Sequence, residues 1–317
     1  MAYSAGDAIL DDEYNAFVGS STDPFGYNHF AGAGSGEYGL NQSSISTVNA
    51  GDAIAASSWN ALFTGLDNIA NHTNVSITSS SVSAGDDIAI RSALISDLAN
   101  LAAAVAGGST GATAIGTNAV GSSTNSATWN STSTIERSVT FANNNTMRAF
   151  FNGGGKIRID PSVTTGIDGL KDDVFNDLTV TATGNLDVGA HASTRSGSGE
   201  TQTTDGLANG FHDLGTGYTV LLKLTSDNSG YTSNTVEYFA KLDAAPASAT
   251  VITIKMVATD AAGDDTFTAG NTDGVAANPN EAPKITLALI EVYPTNGEGL
   301  AANIQSASNA EVSNSAS

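Results

Sequence analysis

Val236-Glu237-Tyr238-Phe239-Ala240-Lys241-Leu242 and, after the break from Asp243 to Thr250, Val251-Ile252-Thr253-Ile254-Lys255-Met256-Val257 decide the fold class. Both runs are rich in β-branched and aromatic residues and alternate with the period of two that places successive side chains on opposite faces of a strand. The same pattern appears at Ser138–Phe141, Met147–Phe151, Lys156–Asp160, Leu178–Thr181, Tyr218–Leu224 and Ile285–Val292, which makes at least eight strand candidates. Clusters such as Ser226-Asp227-Asn228-Ser229-Gly230 and Ala262-Gly263-Asp264-Asp265 separate them as turns. The economical arrangement is a mainly β protein: an antiparallel, jelly-roll-like β-sandwich over residues 136–295, followed by a polar tail over 296–317.

Upstream the period changes. Ala5-Gly6-Asp7-Ala8-Ile9 recurs as Ala50-Gly51-Asp52-Ala53-Ile54 and as Ala84-Gly85-Asp86-Asp87-Ile88. Between the first two copies, Tyr14-Asn15-Ala16-Phe17 falls on Trp59-Asn60-Ala61-Leu62 at the same 45-residue offset, and the third copy keeps only the head. Each copy reads as a Gly-Asp turn, an apolar Ile and an amphipathic helix. Ser57 or Ser58 serves as the cap before Trp59, and Trp59, Leu62, Phe63, Leu66, Ile69 and Ala70 form the stripe. Ile90, Leu94, Ile95, Leu98, Leu101 and Val105 repeat the stripe before Gly107-Gly108 ends the third helix. Helices of this length need cover for their apolar faces, either from each other or from copies in neighbouring subunits. Residues 1–106 therefore read as a docking region of helices and loops, with Ile9, Tyr14, Phe17, Ile54, Trp59, Leu62, Phe63, Ile88 and Leu94 as interface candidates. The Gly-aromatic loop between the first two copies adds Phe25, Tyr27 and Phe30, with another protein chain as the expected contact. Residues 107–135, nearly uncharged and rich in Gly, Ser, Thr and Asn, read as a linker.

Composition narrows the function. The 317 residues carry 11 Lys and Arg against 32 Asp and Glu, a formal charge of −21, which repels phosphate backbones and anionic headgroups and argues against nucleic acid and membrane partners. The Ala-rich stretch from Leu98 to Ala106 is far short of the roughly 20 apolar residues of a membrane span. The N-terminus lacks the basic and apolar regions of a secretory signal, so the expectation is a protein that stays where it is made or leaves with an assembly or by lysis. The absence of cysteine removes disulfides, thiolate metal sites and cysteine nucleophiles.

Chemistry is sparse. Gly153-Gly154-Gly155-Lys156 lacks the Ser or Thr and the following helix that a phosphate loop needs, and reads as a structural turn joining two strands into a hairpin. His29, His72, His191 and His212 are scattered, so no metal is expected. The acidic pairs Asp11-Asp12, Asp172-Asp173 and Asp264-Asp265 read as solvated turns rather than the two carboxylates of glycoside hydrolysis. Asp227 to Gly230 and Asp260 to Asp265 supply oxygens but depart from the spaced calcium-loop pattern. With no nucleophile elbow or dinucleotide fingerprint, neither an enzyme nor a cofactor is expected.

Met147-Arg148-Ala149-Phe150-Phe151-Asn152-Gly153-Gly154-Gly155-Lys156-Ile157-Arg158 resembles an Arg-x-Phe-Phe-Asn-x-Gly-Gly-x-Ile-Arg hairpin of virion structural proteins of tailed phages, notably those of marine and cyanobacterial hosts. In those proteins it is similarly preceded by Gly-Asp-x-Ile turns and Trp-Asn helices, as at Gly51 to Asn60 here. The resemblance covers residues 1 to about 160; Ala149 departs from it, standing where a bulky residue is usual. It implies a place in the virion among other virion proteins, as a tail or neck fibre or baseplate component, and by family analogy a homo-oligomer, a trimer. Two rival expectations stand beside it. One is a host-glycan binding module using Tyr218, Tyr231, Tyr238, Asn228 or Asp264; the other is a capsid decoration protein.

Overall fold

The computed structural model describes residues 11–23, 26–83, 91–108, 110, 114–125, 129, 131–164, 170–261, 283–295 and 307–316. The chain divides into two compact units: Met1–Gly116 with Asn143–Gly155 and Tyr293–Gln305, and Thr117–Ala142 with Lys156–Val292 and Ser306–Ser317.

The second unit is built on the sheets of a β-sandwich. One sheet has five strands in the order β1-β10-β3-β4-β5: β1 (Ile115–Thr124), β3 (Lys156–Thr164), β4 (Leu186–Val188), β5 (Ser193–Arg195) and β10 (Lys284–Pro294). The other has six in the order β11-β2-β9-β8-β7-β6: β2 (Thr132–Phe141), β6 (Thr201–Asp205), β7 (Thr219–Thr225), β8 (Thr235–Leu242), β9 (Val251–Thr259) and β11 (Ala307–Ala316). The alternation read from sequence is realised in β8, where Val236, Tyr238, Ala240 and Leu242 are buried and Glu237, Phe239 and Lys241 face outward. Ile252, Ile254, Met256 and Ala258 of β9 continue the inner face, and Ile157, Ile159, Ile285, Leu287 and Leu289 supply the apolar side chains of the five-stranded sheet. Arg158 of β3 sits opposite Asp187 of β4 and pairs with it through two bonds of 2.7 and 2.9 Å.

Several segments of the second unit differ from the sequence reading, β4 to β6 among them, where no strand was expected. The stretch taken for a linker contains β1 and the start of β2, and the polar tail contains β11, paired antiparallel with β2. Neither β1 nor β11 has apolar alternation, and side chains hold them. Arg137 donates to Ser122 O of β1 and to Asn309 Oδ1 of β11, Asn309 donates to Val120 O, and Asn314 donates to Thr124 O at 3.0 Å. Leu178–Thr181, expected as a strand, lies in a π-helical run, Asp177–Thr183, that continues α6 (Leu170–Asn176). There the hydroxyls of Thr179 and Thr183 bond back to Phe175 O and Leu178 O, which lets β-branched residues sit in a helix.

The first unit contains α1 (Asp11–Val18), α2 (Tyr27–Phe30), α3 (Ala56–Thr73), α4 (Arg91–Ala106) and α5 (Asn144–Asn152). Helix α3 starts one residue after Ala55 without a side-chain cap, so Ser57 and Ser58 lie inside its first turn; it ends on Asn74 in the left-handed conformation. Helix α4 stops at Gly107-Gly108, with Gly108 at φ +63°. Met147–Phe151, expected as a strand, is instead the middle of α5. Asn143 caps it by accepting from Thr146 N at 2.9 Å, and the three glycines close its C-terminus. Gly153 N bonds Ala149 O, Gly155 N bonds Phe150 O at 2.8 Å, and only Gly154 takes a positive φ, +87°. Gly153, Gly154 and Gly155 therefore terminate a helix ahead of β3 and do not turn a hairpin.

Candidate functional site

The residues expected to meet a partner form the core of the first unit. Tyr14, Phe17, Tyr27, Phe30, Trp59, Leu62, Phe63 and Leu94 are all buried in one cluster, with Ile54 packed partly buried against it. Trp59 lies edge-on to Tyr14 with centroids 5.1 Å apart and stacks on Phe63 at 6.0 Å. Of the two covers open to these eight side chains, the unit itself supplies one: Tyr14 and Phe17 pack on Trp59, α3 packs on α4, and Tyr27 and Phe30 of the Gly-aromatic loop complete the cluster. Gly65 makes room for the loop: a Cβ there would meet the Tyr27 ring at 2.7 Å. Burial pushes the Tyr27 phenol up to about 12. Ile9, Phe25 and Ile88 lie outside the described residues.

The repeat has a physical purpose that its spacing alone did not disclose. Asn15 donates to Val48 O and accepts from Val48 N, both at 2.9 Å. Asn60, its counterpart in the second copy, does the same to Val82, at 2.9 and 2.8 Å. Val48 and Val82 each stand three residues before the glycine of the next copy, so each helix grips the extended lead-in to the repeat that follows. An Asn side chain offers the donor and acceptor of a peptide group, and here it replaces the neighbouring strand that these segments lack. Asn28 grips Ile45 in the same way, at 2.9 Å for both bonds. Asp97 of α4 accepts from Thr78 N at 3.0 Å and Ser79 N at 2.8 Å. The third copy carries Leu94 at the position of Asn15 and Asn60, and Leu94 is spent on the core.

The segment that carries the phage resemblance works by the same principle. Arg148, buried in α5, donates to Ala33 O, to Gly34 O at 3.3 Å and to Asn145 Oδ1 at 2.8 Å, while Asn152, one turn on, donates to Gly39 O at 3.2 Å. Phe150 and Phe151 pack edge-on at 5.1 Å and are fully buried. Burial lowers the Arg148 guanidinium below its ordinary value, and it lowers that of His72 in the same unit, with the Gly153 backbone partly opposing. Sequence reasoning missed the grip because its acceptors are backbone carbonyls of a distant loop.

Among the remaining sequence candidates, His29 contacts Ser21 O at 2.7 Å and its ring lies 4.7 Å from that of Tyr38. His191 and His212, far apart in sequence, stack at 5.1 Å. No group of three or more His, Asp or Glu positioned to hold a metal ion occurs among the described residues. Asp11-Asp12 and Asp172-Asp173 occupy the first turns of α1 and α6, where the helix dipole favours negative charge; Asp264-Asp265 lies outside the described residues. Trp129 is interior, donating to Pro283 O at 3.0 Å and meeting Phe175 edge-on at 4.9 Å. Of the three tyrosines proposed for sugar contact, Tyr231 and Tyr238 are buried, which leaves Tyr218.

Tyr218 lies on the outer face of the six-stranded sheet, just ahead of β7. Lys241 Nζ sits 4.3 Å and Lys255 Nζ 3.9 Å from its ring centroid, and Lys255 is also 4.5 Å from the centroid of Phe239. Cross-strand register produces the cluster, since Phe239 of β8 stands opposite Lys255 of β9. Burial and the Glu136 carboxylate beside it both raise the Tyr218 phenol, which stays protonated. No helix among the described residues is long and apolar enough to cross a membrane. No family model matches the chain, and no characterised protein or solved structure does either.

Proposed function

We propose that this chain is a structural component of a tailed-phage virion, a tail or neck fibre or baseplate part that docks through its N-terminal unit and presents its β-sandwich. The observation that carries the reading is the use made of the segment resembling such proteins: Arg148 and Asn152 hold backbone carbonyls of a loop, Phe150 and Phe151 fill the core, and Arg158 pairs with Asp187. Each of these motif residues serves the architecture, which suits a scaffold. Since the described stripe residues apart from Ile95 close within the first unit, docking falls to a polar, acidic surface, where complementarity rather than apolar area sets the partner. The test is gold-labelled antibody against the purified protein, applied to phage particles carrying this sequence. Label at the neck, tail or baseplate at a few to tens of copies is the expected result. Hundreds of copies over the head would replace the fibre reading with capsid decoration, and unlabelled particles would overturn the virion assignment.

A further inference from the structure

We propose that the outer face of the six-stranded sheet carries a binding site for the acidic groups of a polysaccharide, formed by Lys241, Lys255, Tyr218 and Phe239. This goes beyond the virion reading and does not depend on it. Both ammonium groups lie within 4.3 Å of one ring centroid, which gathers the two cations into one cluster. Among the described residues no carboxylate stands within ion-pair distance of either lysine, in a chain that carries 32 Asp and Glu. The contrast on the same face is Lys223, which takes Glu237 as its partner at 2.7 Å. Glu136 stands opposite Lys255 in register, yet lies beside the Tyr218 hydroxyl instead of pairing with it.

Two ammonium groups without carboxylate partners among the described residues, gathered at one ring on a chain of charge −21, form a local complement to an anion. The partly exposed rings of Tyr218 and Phe239 hold the ammonium groups over their faces, which fixes the two cations at the surface of the sheet. A duplex nucleic acid fits poorly, because such binders draw on about six to ten phosphate contacts and this site offers two cations on an acidic body. A polysaccharide with a carboxylate or sulfate on spaced residues fits the charge, each acidic group meeting the cationic cluster in turn.

The test is affinity electrophoresis of the full-length protein through gels containing dextran sulfate, polygalacturonate, uncharged dextran or duplex DNA, at low and at physiological salt. Retardation by dextran sulfate, polygalacturonate or both is expected, weakening with salt, and which polymer retards identifies the acidic group. The Lys241→Gln, Lys255→Gln variant is expected to weaken binding about tenfold or more. The Lys241→Arg, Lys255→Arg variant, which keeps the charge, and Lys223→Gln, which removes the paired lysine, are expected to retain it. Unchanged near-ultraviolet circular dichroism checks the fold of each variant. Equal retardation by uncharged dextran or by DNA, no retardation by either acidic polymer, or full binding by the glutamine variant would each overturn the proposal.

Discussion

Replacing Asn60 by leucine, the residue that the third repeat carries at the matching position, removes both hydrogen bonds to Val82 while filling the same space. Each bond contributes about 1 kcal/mol net, and Val82 is only 7% exposed, so stranding its N–H and C=O adds a desolvation cost of about 1–3 kcal/mol per group where water cannot reach them. Partial access of water to the extended segment brings the expected loss to about 2–4 kcal/mol. The assay is urea unfolding followed by tryptophan fluorescence. Because a two-unit chain does not unfold in one step, the measurement belongs in a Trp129→Phe background, where Trp59, next to the substitution and inside the first unit's core, is the only remaining reporter. With a slope of about 2 kcal/mol per molar urea, the midpoint should fall by about 1–2 M. Asn100→Leu, on the exposed side of α4, should shift stability by less than about 0.5 kcal/mol. A shift for Asn60→Leu no larger than this control would refute the claim that side-chain amides hold the extended lead-ins.

Other substitutions test the remaining packing. Gly65→Ala should destabilise the first unit by about 1–3 kcal/mol in the same assay, although helix propensity alone favours alanine by about 1 kcal/mol, because the new Cβ meets the buried Tyr27 ring. Arg148→Lys should cost about 2–4 kcal/mol despite keeping the charge, since a lysine cannot span Ala33 O, Gly34 O and Asn145 together, and limited proteolysis should then cut within residues 33–39. Asp243 loses solvation by partial burial, but N–H groups of Val251 and Thr250 and the Thr250 hydroxyl more than offset this and lower its folded value. Its contribution is therefore complete above the ordinary carboxyl value of about 4 and disappears as pH falls through the lower folded value, so Asp243→Asn should flatten that part of the acid limb of a stability–pH profile.

The strands that proved legible, β2, β3 and β7 to β10, are those whose side chains make the sandwich core, because a half-buried strand must alternate. The helices α3 and α4 were legible for the equivalent reason at period 3.6. Strands β1 and β11 left no such trace: their pattern is polar, and Arg137, Asn309 and Asn314 tie them in by contacts to backbone far away in sequence. Helix α5 was misread because Met147, Phe150 and Phe151, although they stand at i, i+3 and i+4, make too short a run to separate a period of 3.6 from one of two. Its signal lay at its ends, in the Asn143 cap and the three glycines. The asparagine grips were visible only as a recurring residue, since nothing local distinguishes an amide that clasps a remote peptide from one that faces water. The cationic cluster around Tyr218 depends on the β8–β9 register, which fixes Phe239 opposite Lys255.

Amide hydrogen exchange resolved by residue tests most directly the claim that asparagine and aspartate side chains of the first unit hold the chain's own backbone. The amides of Ile45, Val48, Thr78, Ser79 and Val82 belong to extended segments without a strand partner, yet each donates to an asparagine or aspartate side chain. Protection of these five approaching that of the α3 interior, beside rapid exchange at Thr47 and Ser81, is the predicted result. Exchange at all five as fast as at Thr47 and Ser81 would contradict the account.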